Sequence, residues 1–178
     1  SIGHLDLKMI IEGFYDSSSD NMRAEDTVRI YLRNSFPPYL VIDSSKALIY
    51  PDTFTGTFQI INAPAGNYMV QTKHRNSIET WSSAAVSFVP GSTINYDFTS
   101  METSAYGNNL LHINLSPDRY AVYSGDADQD GIVNLNDLIL INNDASQFVA
   151  GYVSTDINGD GNSDLTDLIL LLIIRGSL

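Results

Sequence analysis

One twelve-residue pattern occurs twice near the end of this chain. Residues 126–137 read Asp-Ala-Asp-Gln-Asp-Gly-Ile-Val-Asn-Leu-Asn-Asp, and residues 156–167 read Asp-Ile-Asn-Gly-Asp-Gly-Asn-Ser-Asp-Leu-Thr-Asp. Both copies carry oxygen-bearing side chains at positions 1, 3, 5, 9 and 12 and glycine at position 6, and both run into Leu-Ile-Leu. A lone Asp-x-Asp-x-Asp-Gly is an ordinary polar turn. Two copies in register, each opening an apolar segment, define a repeated loop-then-helix unit.

The donor chemistry says what such loops hold. Ca²⁺ is a hard cation that takes six to eight oxygens from a loop wrapped around it, and the EF-hand ligand plan uses these positions. The expected ligands are Asp126, Asp128, Asp130, the Ile132 carbonyl, Asn134 and Asp137 in the first loop. In the second they are Asp156, Asn158, Asp160, the Asn162 carbonyl, Asp164 and Asp167. Gly131 and Gly161 permit the positive-φ turn that side chains disfavour. Charge is partitioned to match. Residues 1–125 hold 12 acidic and 8 basic side chains, whereas 126–174 hold nine Asp and no cation. Eight of those nine Asp are expected ligands, Asp144 being the exception. Two Ca²⁺ ions would therefore bring the formal net charge from −12 to about −8, and without them the loops are expected to loosen.

Position 12 is Asp rather than Glu, and no helix precedes the first loop; residues 119–125 read as a strand or linker. Paired loops of this form, each followed by a helix, resemble the type I dockerin module of bacterial extracellular proteins, over Gly125 to Leu138 and Thr155 to Leu168. The resemblance covers about 50 of 178 residues. It implies a secreted, non-catalytic module with near two-fold internal symmetry. It also implies attachment to a cohesin-like partner through the helices and loop positions 10 and 11, here Leu135, Asn136, Leu165 and Thr166. The stretches Tyr96-Asp97-Phe98-Thr99 and Tyr106-Gly107-Asn108-Asn109-Leu110 look like β-sandwich modules that precede such dockerins. The second helix departs from the family: residues 168–174 are seven consecutive apolar side chains, which cover every face of a short helix. A small domain leaves part of that surface unburied, so Leu170, Leu171, Ile173 and Ile174 are expected partner contacts.

Upstream, apolar and β-branched runs at 5–11, 28–32, 39–42, 47–50, 54–61, 68–73, 84–89, 94–98 and 110–115 predict short strands. Val28, Ile30 and Leu32 alternate with polar residues, as on a sheet with one wet face. The expected architecture is mainly β: an antiparallel, immunoglobulin-like β-sandwich over 1–120, then a small α-helical dockerin-like domain over 121–178. Catalytic patterns do not emerge. His4, His74 and His112 lack metal-binding spacing, and Lys73-His74-Arg75-Asn76 reads as structural or surface. Trp81 reads as a packing or sheet-edge residue.

The remaining composition sets outer bounds. There is no cysteine, hence no disulfide framework or thiolate site. The acidic balance argues against nucleic-acid partners, and no run is long enough to span a membrane. The expectation is an extracellular or cell-surface bacterial assembly protein. Two forms stay open: a self-assembling filament subunit, or an anchoring module for a cohesin-like receptor. An alternative is a carbohydrate-binding accessory module of a secreted polysaccharide-degrading enzyme, with the ten Tyr as its resource.

Overall fold

The computed structural model describes residues 1–176. Twelve strands come first: β1 (Gly3–Lys8), β2 (Tyr15–Asp16), β3 (Asn21–Met22), β4 (Asp26–Asn34), β5 (Val41–Ile49), β6 (Thr55–Ile60), β7 (Gly66–His74), β8 (Ser77–Trp81), β9 (Val86–Phe88), β10 (Thr93–Asp97), β11 (Leu111–Leu115) and β12 (Asp118–Ala121). Two helices follow, α1 (Leu135–Ser146) and α2 (Leu165–Arg175). Neither is long and apolar enough to cross a membrane.

The sandwich has one sheet running β5-β4-β7-β8, with β9 also paired to β7, and a second running β10-β1-β6; β2-β3 and β11-β12 form separate two-stranded ribbons. Alternation makes each sheet two-faced. Val28, Ile30 and Leu32 of β4 and Val70 of β7 point inward and are fully buried against Leu5, Leu7 and Phe58 of the opposite sheet. The chain is thus mainly β with two short helices, but the sandwich is not wholly antiparallel. β1 and β10 pair in parallel, Leu5 facing Ile94 and Leu7 facing Tyr96. Parallel neighbours need a crossover rather than a hairpin, and here the chain crosses the other sheet as β7, β8 and β9 before returning beside β1.

Two further expectations change. The runs at 39–42 and 47–50 are not two separate strands. They belong to a continuous β5, whose ladder with β4 runs from Asp26–Ile49 to Leu32–Asp43. The Asp43 carboxylate accepts the backbone N–H groups of Ile61 and Asn62 at 2.8 and 2.7 Å, so it closes the loop after β6. The boundary at 120 also shifts. Ala121 and Val122 are buried in the sandwich core, Val122 bridges Ile11, and Ser124 bridges Ser77. Sandwich pairing therefore continues to within two residues of Asp126.

The helical part has its own small core of Ile141, Ile157 and Leu171, with Val133, Leu138, Leu168 and Leu170 packed around it. Leu171 is fully buried there and is a core residue, not the expected partner contact. A helix made of seven apolar residues must turn one face to its neighbour, and position 171 takes it. Ile169, Leu172 and Ile173 remain exposed, Ile173 at 72%.

Candidate metal centres

Each Asp-rich loop is built by its own short side chains. In the first, Asp128 accepts the Asp130 N–H at 3.1 Å, Asp130 accepts the Ile132 N–H at 2.8 Å, and Asp126 Oδ2 accepts the Gly131 N–H at 3.1 Å. The second repeats this: Asn158 accepts from Asp160 at 2.8 Å, Asp160 from Asn162 at 3.0 Å, and Asp156 Oδ2 from Gly161 at 3.1 Å. Gly131 and Gly161 have φ of +89° and +86°, as position 6 requires.

The helices start by the same device in both repeats. Asn134 and Asp164 are N-caps that accept the N–H of Asn136 and Thr166 at 2.7 Å. Asp137 and Asp167, three positions on, complete capping boxes by accepting the N–H of Asn134 and Asp164 at 2.8 and 2.9 Å. Their other oxygens reach back to the loop entrance, where Ala127 and Ile157 donate at 2.8 Å. Position 12 therefore closes each loop onto its helix. Burial pushes the Asp167 carboxyl up, against the amides that hold it.

The acidic side chains of the first loop converge. Oxygens of Asp126, Asp128 and Asp130 lie within 4.8 Å of one another. Asp126 is 2% exposed, and its Oδ1 has no hydrogen-bond partner among the described residues. Burial raises the Asp126 carboxyl, and the charges of Asp137, Asp130 and Asp128 raise it further. A buried, unpartnered carboxylate oxygen beside two more carboxylates is costly by itself. The donor set contains only oxygen, so a hard cation such as Ca²⁺ fits it and a soft metal does not.

The second loop differs at its first residue. Asp156 Oδ1 accepts the N–H of Gly159 and Asp160 at 2.8 and 3.1 Å, and Oδ2 accepts Arg75 Nη2 at 3.1 Å. Arg75 comes from the β7–β8 turn of the sandwich and also donates from Nε to Asp26 Oδ2 at 2.8 Å and from Nη1 to the Val153 carbonyl. Its neighbour Asn76, fully buried, donates to the Asp156 carbonyl at 2.7 Å and accepts the Gly125 N–H at 2.7 Å through its own carbonyl. His74 lies beneath, fully buried between Asp26 at 3.1 Å and Ser77 at 2.9 Å. Burial holds its imidazole below the usual range, despite Asp26. Burial would raise Asp26, but hydrogen bonds and charge from His74 and Arg75 together bring it down to about 2.

His74, Arg75 and Asn76 therefore have a structural role, as the seam between the sandwich and the two loops, whereas Lys73 pairs with Glu79 at 3.2 Å. Gln129 adds to the seam by donating to the carbonyls of Ser77 and Asp126 at 3.2 and 2.7 Å. On the far side, Arg175 of α2 pairs with Glu12 and donates to the Ser124 carbonyl at 2.7 Å. Arg75, Asn76 and Gln129 lie outside any metal-ligand spacing, so no sequence pattern singles them out for the loops. Asp144 is not near a loop centre: it accepts the Thr155 hydroxyl at 2.6 Å, tying α1 to the second loop's entrance.

Of the expected partner contacts, Leu135 and Leu165 are exposed at equivalent places in the two repeats, at 58% and 63%. Asn136 and Thr166 are exposed beside them, and Leu170 and Ile174 are half-buried. With Ile139, Ile169, Leu172 and Ile173, they leave much of the helix pair's apolar surface in solvent.

No protein-family model matches this sequence, nor does any curated protein. Among solved structures, the chain is similar to two interface mutants of a type II cohesin–X-dockerin complex from Acetivibrio cellulolyticus. The N-terminal interface mutant gives 16% identity and a TM-score of 0.46, and the C-terminal one 16% and 0.49. Each match covers 97% of this chain and 94% of the other.

Proposed function

We propose that this chain is a calcium-binding assembly module. Each Asp-rich loop takes one Ca²⁺, and the ordered loops present α1 and α2 to a protein partner. The observation that carries this reading is the first loop's geometry: a buried Asp126 Oδ1 without a donor, facing Asp128 and Asp130. The ion supplies the positive charge that this oxygen lacks. Asp128, Asp130 and Asn134, with the Ile132 carbonyl, complete the first shell. The second is formed by Asp156, Asn158, Asp160, Asp164 and the Asn162 carbonyl, and Asp137 and Asp167 close the two shells. The dockerin-like motif, with its extracellular and bacterial setting, belongs to this reading, as does a β-sandwich serving as its platform.

The partner surface is the exposed apolar face of the helix pair, around Leu135, Ile139, Leu165, Ile169 and Ile173. Large apolar side chains left exposed on two neighbouring helices are the composition of a protein interface. Either a cohesin-like receptor or another copy of this chain covers it, and the role is attachment rather than catalysis.

Calorimetric titration with Ca²⁺ tests the metal reading. Two ions bind per chain, and Asp126→Ala with Asp156→Ala abolishes uptake. Absence of saturable binding to the unaltered chain overturns it. Electron microscopy with and without Ca²⁺ separates the partners, because calcium-dependent fibres mean self-assembly and monodisperse particles mean an anchor.

A further inference from the structure

The outer face of the β5-β4-β7-β8 sheet carries an arrangement that folding alone disfavours. Arg29 of β4 sits directly opposite Lys46 of β5 on one side and Lys73 of β7 on the other. Three cations thus form a row across three strands, with neighbouring strands about 4.8 Å apart. Like charges directly opposite on a sheet destabilise it. Lys73 finds a counter-charge in Glu79 at 3.2 Å, whereas Arg29 has no carboxylate: it donates to the Ser44 hydroxyl at 3.3 Å and lies 5.8 Å from the Tyr31 ring centre. With Arg33, this face holds four of the chain's nine basic residues, although the net charge is −12.

A second row runs parallel, two residues along the strands and therefore about 7 Å away. It consists of Ser44, Tyr31, Gln71 and Trp81, in direct register across β5, β4, β7 and β8. The row is built to hold its shape. Gln71 is buried on this otherwise open face, accepting Arg33 Nε at 2.5 Å and donating to Glu79 at 2.8 Å; Glu79 also accepts the Trp81 indole N–H at 2.9 Å. The Arg33 guanidinium lies 5.1 Å from the Trp81 ring centre and 5.6 Å from that of Tyr31. Planar guanidinium groups fixed in this way are prepared for carboxylates.

We propose that this face binds an acidic polysaccharide, a polymer of uronate sugars. Its carboxylates lie along the Lys46–Arg29–Lys73 row and its rings along the neighbouring Tyr31–Trp81 row. Charge complementarity and the two parallel lines fit a carboxylated sugar chain better than an acidic peptide, which offers no repeating ring to the aromatic row. The chain's overall acidity does not prevent this. The acidic excess is concentrated at 126–174, and screening at physiological salt acts over about 8 Å. Arg29 and Lys46 have no ion-pair partner among the described residues, and like charges kept opposite each other at a cost to the sheet mark a surface kept for a ligand.

The test is calorimetric titration of the full chain with a galacturonate oligomer of about eight sugars, in low-calcium buffer so that no ion bridges protein and sugar. Saturable binding is expected that weakens as salt rises, with at least a fivefold loss in Arg29→Ala, in Lys46→Ala and in Trp81→Ala. The melting temperature of Arg29→Ala should hold or rise, because the variant relieves the like-charge row. Four results overturn the proposal: no binding, equal binding of a neutral cello-oligosaccharide, equal or tighter binding of poly-glutamate of matched charge, or unchanged affinity in all three variants. The poly-glutamate result would make an acidic protein the partner. Arg29, Lys46 and Trp81 lie on the sandwich sheet and not in the Asp-rich loops, so a failure of these variants to change binding leaves the calcium reading standing.

Discussion

Arg75 binds Asp156 across the seam between sandwich and loops, Nη2 to Oδ2 at 3.1 Å, while its Nε holds Asp26 at 2.8 Å. One guanidinium thus ties the first residue of the second loop to a buried carboxylate of β4. The three side chains are 11%, 3% and 2% exposed, so the cluster is shielded from solvent. Removing one member of such a cluster leaves buried charge uncompensated, at a cost of about 3–5 kcal/mol. Arg75→Ala should lower the melting temperature and release the second loop. Hydrogen exchange at 156–164 should accelerate before that of β4 and β7. Arg75→Lys should recover little, because an ammonium cannot span both carboxylates as a planar fork does. Wild-type exchange rates in the loop of Arg75→Ala would refute the tie.

The glycines of the two loops separate a backbone requirement from a contact. Gly131 has φ of +89° and open space where a Cβ would stand, so Gly131→Ala costs only the left-handed strain, about 1–2 kcal/mol. Gly159 has φ of +76°, and its added Cβ would lie 2.8 Å from the Phe14 ring of the sandwich. Gly159→Ala therefore bears strain and a clash together and should be the more destabilising of the two. Thermal unfolding of both variants checks this. Equal shifts in melting temperature would mean that Phe14 gives way without cost.

These two positions also show what sequence reasoning reaches. The repeat of Asp, Asn and Gly was legible because each loop is made from itself: the expected ligand positions and the turn glycine lie within twelve residues. Period-two alternation likewise located most of the sandwich strands, since burial on one face leaves its imprint locally. Arg75, Asn76 and Gly159 act across the fold, and nothing within their own segments points to the partner. β8 was missed for a related reason. Its Ser-Ile-Glu-Thr-Trp composition is mixed, and a bulge in its pairing with β7 interrupts the alternation. The parallel placement of β10 beside β1 depends on a crossover of the whole sheet, which no local pattern encodes.

The buried His74–Asp26 pair predicts a particular acid response. His74 is held below its ordinary value of 6.5 by burial, so the unfolded chain takes up a proton there before the folded one does. Its contribution is complete above about pH 6.5 and is lost as pH falls below that value. Asp26, at about 2 in the fold against 3.8 ordinarily, contributes about 2 kcal/mol that persists above pH 4 and disappears as pH falls toward 2. Stability should therefore decline in two stages on acidification, the first beginning near pH 6.5. A His74→Gln variant should lose the first stage and shrink the second, because only Arg75 then holds the Asp26 carboxyl down. A melting temperature that stays flat between pH 7 and 5 in the unaltered protein would contradict the buried neutral imidazole.

The last apolar run separates support from presentation. Leu171 is fully buried with Ile141 and Ile157, whereas Ile173, two residues on, is 72% exposed. Leu171→Ala removes a buried isobutyl group from a three-residue core with little chance of collapse, so it should cost about 2–5 kcal/mol. Ile173→Ala should change the stability of the isolated chain by less than about 0.5 kcal/mol. Under the assembly reading the order reverses for association. Ile173→Asp should weaken partner binding or fibre formation while leaving monomer melting unchanged, because an exposed apolar side chain contributes only when another surface covers it. Denaturant unfolding of each variant, paired with sedimentation in Ca²⁺, measures both effects. If Ile173→Asp unfolds like Leu171→Ala, the apolar surface of α2 serves the domain's own fold and does not face a partner.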